Sequence, residues 1–228
     1  LNLNRQGTDL VITVDCGTVA LEALEAAHQA GLEVIVIDHH IGAFDKPQAI
    51  AVVNPNRLDE NFPHKNLAAV GVSFLLAVAV NKALREMGFY VENNLSEPNL
   101  LSLLDLVALG TVCDVMTLDG VNRAFVAQGL KIMKSRTNIG IRALFDVAGL
   151  DEEPSAYHLG FVIGPRINAG GRVGKADLGA RLLSTNNEEE ANKIAAELNI
   201  YNNQRKDIEI NILEEAKKEN YNIVLTSD

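Results

Sequence analysis

The stretch VIVIDHH, residues 34–40, joins two signals that rarely stand side by side. Alternating Val and Ile read as a strand buried on both faces. Such a strand ordinarily finishes in a turn of Gly, Asn or Ser, yet this one finishes in an acid and two imidazoles, Asp38, His39 and His40. The strand sets the fold class, and its ending marks where chemistry is to be sought.

Upstream, LVITVD (residues 10–15) is a second β-branched run, and Leu21 to Ala30 has helical spacing that closes at Gly31, a natural C′ residue. Strand, helix and strand in about thirty residues predict a parallel pair covered on both faces and joined by a right-handed crossover. A third apolar run, Ala49 to Val53, is stopped by the proline of Asn54-Pro55-Asn56. The spacing then predicts helices over Leu67–Met87, Leu100–Leu109, Val121–Met133 and Ile141–Val147, so the fold class is α/β, a parallel sheet followed by a helical section. GPRINAGGR, residues 164–172, reads as a Gly-rich loop bearing arginines. Further helices are expected over Ala176–Leu183 and from Glu188 to about Lys218. The last is longer than the globular norm and lacks sustained heptads across Ile200–Asn211, which predicts a strut leading to another domain at Tyr221.

With 228 residues, 47% of them apolar, the chain suffices for one large domain or one domain with part of a second. No charge-free apolar run reaches the length of about 18 residues that a membrane span requires. The opening LNLNRQGTDL shows neither an initiator Met nor a secretory signal, and an apolar strand, NIVLTSD, stands last, so the chain reads as a piece of a longer protein. Cys16 and Cys113 form no CxxC pair, which points to a reducing, cytoplasmic setting rather than a disulfide framework. A formal charge of −10, with much of the acid in residues 187–219, opposes broad electrostatic capture of nucleic acid. A phosphate substrate would need metal ions or local arginines. With no Trp and 5% aromatic residues, no base-stacking platform is evident.

In an open parallel sheet the site lies beyond the carboxyl ends of the strands. Asp15 ends the first strand, and Asp38, His39 and His40 end the second; neighbouring strands would bring them about 5 to 10 Å apart. In ALGTVCDVM, Asp114 follows an apolar helix and a Gly-Thr turn, and sits between Cys113 and Val115, a costly place for an unpaired charge. Asp15, His39 and Asp114 make an oxygen-rich set with one imidazole, which suits Mn²⁺ or Mg²⁺ better than zinc. Two ions sharing a carboxylate would promote hydrolysis of a phosphoester. Other readings stay open. Asp15 before Gly17-Thr18 also fits a helix cap, and paired loop histidines also fit a solvated surface. Their place after a buried strand, behind an acid able to orient an imidazole, favours ligation. Both cysteines read as small buried residues, and His28, His64 and His158 as structural or solvated. Arg166, Asn168 and Arg172 are candidates to hold substrate phosphates, glycines letting backbone approach and Arg offering a planar fork.

Val14-Asp15-Cys16-Gly17, Asp38-His39-His40, Asn54-Pro55-Asn56, Gly110 to Val115 and Gly164 to Arg172 stand in the order found in the DHH phosphoesterase superfamily, which the chain resembles from about residue 8 onward. Within it the chain is similar to the branch that degrades single-stranded DNA from the 5′ end, Asn203-Gln204-Arg205 adding to the likeness. The resemblance implies Asp15 shared by two Mn²⁺ or Mg²⁺ ions, with His39 and Asp114 as further ligands. It implies His40 at the scissile phosphate or as acid to the leaving oxygen, Asp38 supporting the site, and Arg166, Asn168 and Arg172 near the nucleic-acid backbone. Implied partners are single-stranded DNA and repair proteins such as a helicase or a single-strand-binding protein. Implied organisation is a phosphoesterase domain over 1–186 without the earlier Asp-x-Asp strand, a connecting helix over 187–219, and the start of a DHH-associated domain over 220–228. Little activity is expected of this chain alone. Rivals are a nano-RNA or cyclic-dinucleotide phosphodiesterase of the same superfamily, an inorganic pyrophosphatase, and a non-catalytic nucleic-acid-binding module.

Overall fold

The computed structural model describes residues 2–42, 44–45, 47–172 and 175–218, without the side chains of Arg172 and Lys218. The expected strand NIVLTSD and the domain start at Tyr221 lie outside the described residues. The chain divides into two compact units, Leu1–Ser135 and Arg136–Asp228.

In the first unit a single helical turn, α1 (Asn2–Arg5), precedes β1 (Leu10–Val14), α2 (Leu21–Gln29), β2 (Glu33–Ile37) and β3 (Ala51–Val53). The strands form one parallel sheet in the order β1-β2-β3, with Val14 opposite Ile37 and Ile37 opposite Val53. Central position explains why β2 is so apolar. Val34 and Val36 pack against Leu24 of α2 on one face, while Ile37 packs with Leu67 and Val72 on the other. The helix α2 closes as its sequence predicts: Gly31 adopts φ +77°, its N–H bonds to His28 O, and the N–H of Leu32 bonds to Ala27 O.

The first strand departs from expectation. Val11 packs on the α2 side, but Leu10, Ile12 and Val14 are exposed, and the cluster of Leu67 and Val72 takes in Ile35 and Val53 but no side chain of this edge strand. A continuous apolar run therefore does not certify burial on both faces.

Four helical elements complete the unit: α3 (Ala69–Glu86), a turn α4 (Phe89–Glu92), α5 (Leu104–Cys113) and α6 (Gly120–Met133), with a 3₁₀ turn at Leu100–Leu103 leading into α5. The Gly-Thr turn expected before Asp114 is instead helix, since α5 runs unbroken to Cys113. Gly110 serves close packing there: a Cβ on it would lie 2.8 Å from Val70 Cγ1. Gly129 of α6 is tighter still, with Leu104 O 2.1 Å from where its Cβ would stand.

The second unit contains α7 (Ile139–Val147), capped by the Asn138 side chain accepting from Ile141 N–H. A π-helical turn at His158–Ile163 leads directly into α8 (Gly164–Arg172), and α9 (Asp177–Ser184) and α10 (Glu188–Lys218) follow. GPRINAGGR is thus a helix, not a loop. Pro165 lies inside a helical run continuous from Ala156 and stands directly after the π turn, whose widened backbone accommodates the missing N–H bond. Gly170 and Gly179 let α8 approach its neighbours, a Cβ at these positions meeting Leu198 Cδ2 at 3.0 Å and Ile167 Cγ2 at 2.8 Å. The early part of α10 belongs to this core through Ala191, Ile194, Ala195 and Leu198, whereas Ile208, Ile210, Ile212 and Leu213 are exposed. No described helix is long and apolar enough to cross a membrane.

Gly129→Ala is expected to lower unfolding stability by about 2 to 3 kcal/mol through overpacking of α6 on α5. Gly171→Ala, whose Cβ meets open space on a helix, is expected to change it by no more than about 1 kcal/mol, in the stabilising direction. Urea unfolding of both variants checks the contrast.

Candidate metal centre

Parallel register sets Asp15 beside Asp38 at the carboxyl end of the sheet. The N–H of Asp15 bonds to Ile37 O at 2.9 Å and that of Asp38 to Val53 O at 3.1 Å, so each strand end is fixed by its neighbour. Asp15 stands in the left-handed region at φ +62°, a position of backbone strain for a residue with a Cβ. Gly17 follows at φ +119°, where a Cβ would lie 2.9 Å from Thr13 Oγ1 and 3.0 Å from Val36 Cγ1. The turn it permits brings Thr18 N–H to Asp38 Oδ2 at 2.9 Å. Asp15 does not cap the next helix, because no side chain caps α2.

Asp38 is only 1% exposed. Besides Thr18 it accepts from His39 N–H at 2.8 Å, His40 N–H at 3.2 Å and His40 Nδ1 at 2.7 Å. Burial works to raise its pKa, but the bonds from Thr18 and His40 outweigh burial and hold the carboxyl well below the usual carboxylate range. The same bond to Asp38 raises the pKa of His40. Since the carboxylate only accepts, Nδ1 of His40 carries the hydrogen. Its Nε2 is left on a ring that is 59% exposed.

His39 is oriented differently. Its Nδ1 lies 3.1 Å from Leu67 O, and a carbonyl only accepts, so the hydrogen sits on Nδ1. Its Nε2 faces Asp15 Oδ1, 3.2 Å away, and Asp114 Oδ2, 3.4 Å away. Two carboxylates converging on one ring nitrogen call for positive charge there, supplied by a bound cation or by the proton of an imidazolium. Burial raises the pKa of Asp114, with His39 opposing and the Asp15 charge adding to the rise. Asp114 ends α5 and is followed by Val115 at φ +56°, a second strained position beside the cluster and an unusual one for a β-branched residue. One ligand atom each from Asp15, His39 and His40 also lies within 4.8 Å of the others. Hard oxygens with imidazole fit Mn²⁺ or Mg²⁺, and a cleft of about 260 Å³ beside Asp15 and Asp114 is lined further by Val14, Ala69, Ser73 and Gly110.

The structure therefore brings together Asp15, Asp38, His39, His40 and Asp114 in the first unit. Arg166 and Asn168 lie on α8 of the second. Arg166 is half-buried, donates from Nε to Asn199 Oδ1 at 3.0 Å and from a terminal nitrogen to Val162 O at 2.7 Å, and burial lowers its pKa. Asn168 is exposed, and the side chain of Arg172 lies outside the described residues. Cys16 is exposed rather than buried. The Cys113 thiol is pushed up to about 11 by burial and the neighbouring Asp114 charge, which keeps it protonated. His158 is buried and engages Ser155 Oγ at 3.2 Å, and the ring of His64 meets Phe62 edge-on.

The sequence singles out Asn54 and Asn56 only as a strand stop and a family motif, without a role in the centre, and singles out neither Thr18 nor the Leu67 carbonyl for it. The two asparagines stand at the end of β3, where the strand-end rule would have flagged them alongside Asp15 and Asp38. A backbone carbonyl leaves no mark in a sequence.

Residues 2–111 match the DHH family, N-terminal domain. The chain is 44% identical over 213 residues to the single-stranded-DNA-specific exonuclease RecJ of Dickeya dadantii (strain 3937), covering 92% of the chain and 37% of that relative. A crystal structure of exonuclease RecJ bound to manganese superposes with a TM-score of 0.78 at 34% identity, over 94% of this chain and 51% of the other. RecJ from Thermus thermophilus in complex with Mg²⁺ gives a TM-score of 0.66 at 34% identity, over 91% of this chain and 27% of the other. The chain thus spans between about a quarter and little more than a third of the length of the curated relatives it matches. Strand order, the strand-end cluster and these likenesses agree: residues 2–111 belong to the DHH family as its N-terminal domain.

Proposed function

We propose that the chain is the metal-binding part of a 5′ to 3′ exonuclease that hydrolyses phosphodiester bonds of single-stranded DNA in repair and recombination. The observation that carries this reading is His39 Nε2, which faces the carboxylates of Asp15 at 3.2 Å and Asp114 at 3.4 Å. Asp15, His39 and Asp114 would hold Mn²⁺ or Mg²⁺, with two ions in the complete protein. A bound divalent ion supplies Lewis-acid polarisation of a phosphodiester and acidifies water at neutral pH.

The chain's own residues supply the rest. Asp38 fixes the ring of His40 through Nδ1, leaving Nε2 to hold a proton at the scissile phosphate or the leaving oxygen. Arg166, Asn168 and Arg172 would lie along the nucleic-acid backbone. The reading includes a phosphoesterase domain over 1–186, a connecting helix over 187–219 and the start of a further domain over 220–228. It also includes a cytoplasmic setting, and partners such as a helicase or a single-strand-binding protein.

The test is release of mononucleotides from 5′-phosphorylated single-stranded DNA and, in parallel, from a dinucleotide, with Mn²⁺ or EDTA. The full-length protein should shorten the long strand with Mn²⁺ only, and this chain alone should show little or no turnover. Cleavage of the dinucleotide alone would move the substrate to short nucleotides, and cleavage of neither would leave a binding module. Asp15→Ala is expected to weaken Mn²⁺ binding by at least about tenfold and abolish the EDTA-sensitive activity. His40→Ala should leave Mn²⁺ affinity within about threefold while kcat falls by about 100- to 10,000-fold, the range for loss of a proton-transferring group. Manganese titration beside steady-state kinetics separates the two.

A further inference from the structure

We infer that Asn54 and Asn56 are positioning residues of the metal centre, whose amides hold the backbone of His39 and His40 and thereby keep the His39 ring aimed at the ion. The inference rests on the metal reading of Asp15, His39 and Asp114 given above.

Asn54 is 4% exposed and uses both ends of its amide. Its Nδ2 donates to His40 O at 2.9 Å and to Thr18 Oγ1 at 2.8 Å, and its Oδ1 accepts from Asn56 N–H at 2.7 Å. Thr18, itself 3% exposed, donates its N–H to Asp38. One side chain at the end of β3 thus ties together the turn after β1 and the turn after β2.

Asn56 completes the arrangement. Its Nδ2 donates to His39 O at 2.5 Å and to Lys65 O at 2.8 Å. Lys65 stands two residues before Leu67, whose carbonyl accepts from His39 Nδ1. The amide therefore fastens the backbone of His39 to the segment that fixes the tautomer of the same histidine. Lys65 Nζ reinforces that segment by donating to Pro55 O at 2.5 Å and Glu60 O at 2.7 Å. Among the described residues, neither asparagine amide bonds to a carboxylate of the cluster or to the His39 ring, so both act through the histidine they hold. Loss of such outer partners lowers metal affinity by about 10- to 100-fold.

The control is Asn81, a buried asparagine of α3 in the same unit, whose amide bonds to Glu97 Oε1 and Tyr90 OH instead. The experiment measures Mn²⁺ affinity, by the electron paramagnetic resonance of free Mn²⁺, together with the thermal midpoint, on full-length protein. Asn54→Ala and Asn56→Ala should raise the Mn²⁺ Kd by about 10- to 100-fold, whereas Asn81→Ala should lower the thermal midpoint and leave Kd unchanged. Thr18→Val keeps volume and removes the hydroxyl that accepts from Asn54 and also bonds to Asp38. It should raise Kd severalfold, and should one alanine variant fail to fold, the other decides the matter. Wild-type binding that is matched within twofold by Asn54→Ala, Asn56→Ala and Thr18→Val overturns the inference alone. A wild-type protein that binds no Mn²⁺ overturns the metal reading and this inference with it.

Discussion

Everything at the head of the sheet depends on one buried carboxylate. Asp38 has almost no exposure, and a charge there would be costly without compensation. Three backbone N–H groups and one imidazole supply it. Bonds to a charged acceptor contribute about 1.5 to 3 kcal/mol each, which is why the acid stays ionised against its burial. The same bonds fold the turn after β2 back on itself, turn the two histidines in different directions and draw the Thr18 turn against them. Asp38 touches the chemistry only through what it holds.

Around that anchor the two histidines divide the work by tautomer. Both carry hydrogen on Nδ1, one toward a backbone carbonyl and the other toward a carboxylate. For His39 this turns a nearly buried ring nitrogen toward two acids, a place for positive charge. For His40 it leaves a solvent-facing nitrogen beside a negative charge, suited to holding a proton. Adjacent positions in the chain reach these opposite environments because one ring turns inward toward Leu67 and the two acids and the other toward solvent. The strained backbone at Asp15 and Val115 lies on either side of the same cluster, consistent with geometry retained for function.

Much of this was legible in the residues. The βαβ unit, its Gly31 stop and the cluster of Asp15, Asp38, His39 and His40 follow from strand runs, a C′ glycine and the rule that parallel sheets place their sites at strand ends. Two kinds of signal misled. Glycines in Gly110-Thr111 and GPRINAGGR read as turn and loop, yet both segments are helical, because glycine there admits a neighbouring helix rather than a bend. The apolar run of β1 read as doubly covered, but edge position leaves Ile12 and Val14 exposed.

By itself the sequence determined the parallel α/β class and the identity of the side chains at the strand ends, because strand periodicity and residue chemistry are local properties. Only the tertiary structure decided which nitrogen of each histidine is free and which carbonyls and amides hold them. It also decided that Asp114 meets His39 from a helix that begins far along the chain. The bonds that orient and fasten His39 join residues 28 and 17 positions apart. Their directions come from how strands, turns and helix ends meet in space, which no local pattern encodes.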